Sequence, residues 1–174
     1  MKIAVLTDSS AYLTKEQQEK YQIDVLPIPI IWGKKVYHDL VDIGYEEFYQ
    51  KLNTAKELPT TSQPSIGDLK QKIDEYVAAG YTDVIVITLS SGISSYFSTV
   101  QSVAAEEDRI KVHPFDSKIT CAGEADYAML AGRLIEAGAD IDLIMHDLKD
   151  LQKNDGCALY GGRFEPFEAY RSFV

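Results

Sequence analysis

Val84-Ile85-Val86-Ile87-Thr88-Leu89 constrains the fold more than any other stretch, because it is almost unbroken β-branched apolar sequence. A half-exposed strand alternates polar and apolar residues. This one has no polar face, so both faces need cover and the strand belongs at the centre of a parallel sheet. It empties into Ser90-Ser91-Gly92-Ile93-Ser94-Ser95, after which helical periodicity runs to about Glu107. The same order recurs elsewhere. Ile3-Ala4-Val5-Leu6 ends in Thr7-Asp8-Ser9-Ser10 ahead of a helix opened by Thr14, and Arg109 to Phe115 ends in Asp116-Ser117 ahead of an Ala-rich helix from Ile119 to Ala137. Ile23 to Trp32 reads as one further strand, kept near an edge or at bulges by Pro27 and Pro29. Helices are expected over Tyr45 to Leu52 and Ile141 to Lys153. Alternating strands and helices predict an α/β fold of Rossmann-like type, a mostly parallel sheet with helices on both faces.

In such sheets ligands sit beyond the carboxyl ends of the strands. Hydroxyls gather there: Thr7, Ser9 and Ser10 after the first strand, Ser90, Ser91, Ser94 and Ser95 after the central one, and Ser117 after the last. Pro59-Thr60-Thr61-Ser62-Gln63-Pro64-Ser65 adds more, in a segment whose two prolines fix their own φ and push Leu58 and Gln63 toward extended conformations. Ser65 and Asp68 have capping-box spacing, ahead of Ile66, Leu69, Ile73 and Val77 at helical intervals, and Gly80 marks the end of that helix. A stiff hydroxyl loop beside a helix start can hold an anion without Lys or Arg.

Charge and motifs then narrow the chemistry. The chain of 174 residues carries 17 basic and 27 acidic side chains, net −10, which argues against nucleic acid and anionic membranes as electrostatic partners. Met1-Lys2 runs straight into a strand pattern, so no leader is expected and a cytoplasmic location is, with membrane contact transient at most. Cys121 and Cys157 have neither disulfide-framework nor zinc spacing, and Cys121 is expected as a buried, inert thiol. Nucleophile elbow, phosphate loop, dinucleotide fingerprint and zinc-protease motifs are missing. His113 is expected to be a hydrogen-bonded strand residue, and Asp8 and Asp116 to organise their own loops rather than hold a metal. The reading is a binding protein rather than an enzyme, with no metal or cofactor. Neutral donors suit a carboxylate that is held and later released, and a hydrocarbon tail would add about 0.8 kcal/mol per buried methylene. The alternative is a phosphosugar-binding or metal-dependent phosphotransfer enzyme using Asp8 or Asp116.

Taken in order, Thr7-Asp8-Ser9-Ser10-Ala11, Gly33 with Tyr37 and Asp39, Glu47-Phe48-Tyr49, Leu58 to Ser65, Ser90-Ser91-Gly92-Ile93-Ser94 and Asp116-Ser117 resemble the DegV family of bacterial fatty-acid-binding proteins. The resemblance covers residues 1–153. It implies a carrier, not itself catalytic, that binds a long-chain fatty acid and presents it to a separate fatty acid kinase for acyl-phosphate formation in phospholipid synthesis. Carried over by position, Thr61 and Ser94 would hold the carboxylate, with Thr60, Ser62 and Ser91 as neighbours. Ser95-Tyr96-Phe97 stands where the family usually has Gly-Thr-Tyr, a change expected to reshape the approach to the head group.

Residues 154–174 match no family pattern as written, and a second domain that covers the acyl tail in the family is expected to be missing. Read one nucleotide later, codons available to Gly161-Gly162-Arg163-Phe164 can encode Val-Asp-Asp-Leu. In the same frame Glu168 to Phe173 can encode Lys-Arg-Thr-Gly-Arg-Leu, the other string the family places here. The tail is therefore read as frameshifted, with no family role for Cys157, Arg163 or Arg171.

Overall fold

The computed structural model describes residues 2–154. The tail read as frameshifted lies, from residue 155 onward, outside the described residues. Four strands form a wholly parallel sheet: β1 (Ile3–Asp8), β2 (Ile23–Leu26), β6 (Asp83–Thr88) and β7 (Lys111–Asp116), in the order β2-β1-β6-β7. The apolar run at 84–89 supplies β6, which is central and buried at every position.

Strand alternation divides the interior into two cores. Ile3, Val5, Ile85 and Ile87 face helices α5 (Ala122–Glu136) and α6 (Ile141–Asn154), packing on Ala125, Ala128, Ala131, Ile144 and Leu148. Ala4, Leu6, Val84 and Val86 face α3 (Ile66–Ala78) and α4 (Tyr96–Glu106), packing on Leu69, Ile73, Tyr76, Tyr96 and Val100. Small residues let α5 approach closely. A methyl group added at Gly132 would sit 2.6 Å from the Tyr21 carbonyl oxygen at the end of α1 (Lys15–Tyr21).

The second expected strand is in fact two. Pro27 has no N–H to continue the ladder, so the chain leaves the parallel sheet after Leu26 and enters a separate antiparallel sheet. That sheet has the order β4-β3-β5, from β3 (Pro29–Trp32), β4 (Lys35–His38) and β5 (Thr60–Thr61). Gly33, at φ 61°, makes the β3–β4 turn in a conformation that costs a side-chain-bearing residue energy. Helix α2 (Tyr45–Thr54) lies beside this sheet, with Phe48 edge-on to Trp32 and the Lys51 ammonium over the rings of Trp32 and Tyr37.

Two local expectations need correction. The helix expected from Ile119 starts at Ala122, and Cys121, read as a buried core thiol, is exposed at its N-cap with φ 58°. Ile66, expected on the inner face of α3, is exposed, and Tyr76 is buried in addition to Leu69 and Ile73. As expected, Ser65 and Asp68 form a complete capping box, and His113 is hydrogen-bonded within the sheet, with Nε2 2.9 Å from Asp83 Oδ1.

Candidate functional site: two hydroxyl clusters at the strand ends

All four parallel strands point their carboxyl ends to one rim, and two chemically different hydroxyl clusters lie there. The inner cluster is built from the end of β1, where Thr7 meets Glu124 of α5 and Asp8 meets Ser10 and the backbone that follows β6. Thr7 Oγ1 donates to Glu124 Oε1 at 2.9 Å, and both side chains are fully buried. Asp8 Oδ2 accepts from the Leu89 N–H at 3.1 Å, which ties the end of β1 to the end of β6. Ser10 Oγ stands between the two acids, 2.6 Å from Asp8 Oδ1 and 2.7 Å from Glu124 Oε2. A hydroxyl has one proton to donate, so one of these two close contacts requires a protonated carboxyl.

Burial and the neighbouring Asp8 charge push Glu124 up to about 9, which assigns the proton to it. Burial also raises Asp8, opposed by bonds from Ser10 and Leu89. At neutral pH Glu124 thus donates to Ser10, and Ser10 donates to Asp8. Around this chain Ser9 Oγ accepts from the Ile28 N–H at 3.0 Å and donates to Asp39 Oδ2 at 2.8 Å, joining the rim to the antiparallel sheet. Ser117 Oγ donates to the Ile119 carbonyl at 2.9 Å. The cluster satisfies itself from within.

The outer cluster contains Thr60, Thr61, Ser62 and Ser94, residues that the family resemblance assigns to carboxylate binding. Thr60 and Thr61 form β5, exposed, with Ile31 and Ile30 as their ladder partners. Ser62 is exposed, its N–H donating to the Pro29 carbonyl at 3.0 Å. Among the described residues the Thr60, Thr61 and Ser62 hydroxyls make no hydrogen bond. Ser94 is half-buried, its Oγ accepting from the Tyr96 N–H at 3.1 Å at the first turn of α4. Gln63 joins the two segments: its amide nitrogen donates to Thr99 Oγ1 at 2.9 Å and its amide oxygen accepts from Ser95 Oγ at 2.9 Å. Leu58, Ile66 and Ile93 are exposed apolar neighbours in sequence of these hydroxyls.

Ser91 is drawn toward β7 instead. Its N–H and hydroxyl donate to the two oxygens of Asp116, at 3.0 and 2.5 Å, and the Lys118 N–H donates to Asp116 as well. Asp8 and Asp116 therefore organise loops, as expected. Tyr96 is fully buried among the residues of the α3–α4 core. Sequence reasoning missed Glu124. Its signal was its place four residues before Ala128 and seven before Ala131, on the sheet-facing stripe of α5.

The model of the DegV family, described as an uncharacterised protein family, matches residues 2–165. Protein DegV of Bacillus subtilis is 40% identical over 154 residues, covering 88% of this chain and 54% of that protein. The crystal structure of DegV from Bacillus subtilis, a fatty acid binding protein, superposes with TM-score 0.84 at 39% identity, over 88% of this chain and 54% of that one. A Thermotoga maritima protein whose structure is described as revealing fatty acid binding function gives TM-score 0.81 at 32% identity, over 88% of this chain and 56% of that one. The chain spans about half the length of the curated relatives it matches.

Proposed function

This chain belongs to the DegV family, and on that premise we propose that it binds a long-chain fatty acid, the carboxylate lying between Thr61 and Ser94 with Thr60, Ser62 and Ser91 beside it. The observation that carries the reading is the contrast in hydrogen bonding at the rim. The inner hydroxyls are committed to Asp8, Glu124 and backbone, whereas Thr60, Thr61 and Ser62 stand exposed beside a helix start. Hydrogen bonds from neutral groups to a carboxylate are worth roughly 1.5–3 kcal/mol each. The acyl tail contributes the remainder by leaving water.

The finer role is that of a non-catalytic cytoplasmic carrier that hands the bound acid to a separate fatty acid kinase for acyl-phosphate and phospholipid synthesis. No helix among the described residues is long and apolar enough to cross a membrane, which fits a carrier that meets lipid surfaces only in passing. The phosphotransfer alternative has less support, since both of its acids already accept hydrogen bonds from their own loops. Asp8 is engaged by Ser10 and Leu89, and Asp116 by Ser91 and Lys118. For the tail the proposal remains a frameshift beginning near residue 154, and nucleotide codons unable to give both shifted strings contradict it.

Mass spectrometry of the protein extracted under denaturing conditions tests the reading. Co-purified long-chain fatty acid is the expected result. A protein that yields none, and takes up none when it is offered, overturns it.

A further inference from the structure

Among the described residues Gln63 is the one side chain that bridges the two segments of the outer cluster, its partners Ser95 and Thr99 lying 32 and 36 positions away in sequence. Both ends of its amide are used. Its nitrogen donates to Thr99 Oγ1 and its oxygen accepts from Ser95 Oγ, each at 2.9 Å. Ser95 occupies the N-cap of α4, where a serine ordinarily accepts from a first-turn amide. Here its backbone, at φ −83° and ψ 3°, is not in the extended conformation of a cap, it makes no capping bond, and its hydroxyl donates to Gln63 instead. Gln63 is half-buried, and Pro64, the next residue, is buried, so the bridge is anchored on the protein side.

We infer that Gln63 is a positioning residue whose uncharged amide fixes the distance between Thr61, two residues before it, and Ser94, next to its partner Ser95, and keeps that gap fit for an anion. The inference rests on the fatty acid reading. An amide suits the place on two grounds. It donates and accepts at once, matching one hydroxyl used as a donor and one used as an acceptor. It also adds no charge beside a carboxylate. A glutamate there could accept from both hydroxyls, since each can rotate to donate, and would hold the segments together. It would also set a negative charge near the head group, where Coulomb repulsion at an effective dielectric of about 20 amounts to roughly a tenfold loss of affinity at separations of some 10 Å.

The test compares a long-chain fatty acid with the fatty alcohol of equal length, by displacement of a fluorescent acyl probe from the full chain at neutral pH. Gln63→Leu is expected to weaken both ligands about tenfold, by releasing the two segments. Gln63→Glu is expected to restore the alcohol to within about twofold of the unaltered chain while leaving the acid about tenfold weaker. A merely structural role would move the two ligands together. Equal behaviour of acid and alcohol in Gln63→Glu, or unchanged affinities in Gln63→Leu, overturns the inference. An unaltered chain that binds neither ligand fails earlier, at the fatty acid reading itself, and takes the inference with it.

Discussion

Two hydroxyl-rich clusters share the same rim, and they differ in what their hydroxyls face. Thr7, Ser9 and Ser10 point at Glu124, Asp39 and Asp8, two buried acids and one half-buried that consume them. Thr60, Thr61 and Ser62 line an exposed edge strand and the turn after it. Composition alone would rank the two alike. Burial and internal satisfaction separate a cluster that holds the fold from one able to hold a ligand, because a donor already paired in the interior has nothing to offer without breaking a bond.

The sharpest way to break this comparison is to remove the buried acid. Glu124→Ala takes the acid partner from Thr7 and one of the two from Ser10 and opens a cavity, an expected loss of about 2–4 kcal/mol of stability. Urea denaturation measures it. Glu124→Gln is expected to cost far less, since the native group is already a neutral donor and acceptor. It should also change the pH response. Glu124 is raised in the folded protein to about 9 from an ordinary 4.5. The folded state therefore keeps a proton that the unfolded chain releases. Its contribution is complete below about 4.5 and declines as pH rises to about 9. The urea midpoint of the unaltered chain should fall over that window, and Glu124→Gln should flatten the fall. An identical slope in both would place the shared proton elsewhere.

A smaller effect separates structural from binding hydroxyls within the 59–65 segment itself. Ser65→Ala removes the hydroxyl half of the capping box on α3 and leaves the backbone N–H of residue 65 donating to Asp68, so stability should drop by about 1 kcal/mol while fatty acid affinity holds. Loss of affinity without loss of stability would move Ser65 into the outer cluster.

How much of this was legible in the sequence follows from the range of the forces involved. The central strand, the two-faced sheet and the Ser65–Asp68 cap rest on neighbours within a few positions, and the residue pattern carries them directly. The antiparallel sheet was not legible. Lys35–His38 is mostly exposed, and Thr60–Thr61 is a strand only because β3 lies alongside. Cys121 was misjudged because its exposure depends on where α5 begins, which is set in part by the bond from its N–H to the Ser10 carbonyl. Glu124 escaped notice for the same reason: its neutrality is created by burial against the sheet and, next, by Asp8, 116 positions away in sequence. The hydroxyls of 59–65 and 90–95 could be named as a pair, but the amide that joins them could not.

The central claim is that the outer cluster is a carboxylate clamp, and the most direct measurement is fatty acid affinity in Thr61→Val and Ser94→Ala, by displacement of a fluorescent probe, alongside the thermal midpoint. Each loses a donor to a charged group, so affinity should fall about tenfold in either variant while the midpoint stays within a few degrees. Affinity equal to that of the unaltered chain in both variants would contradict the account.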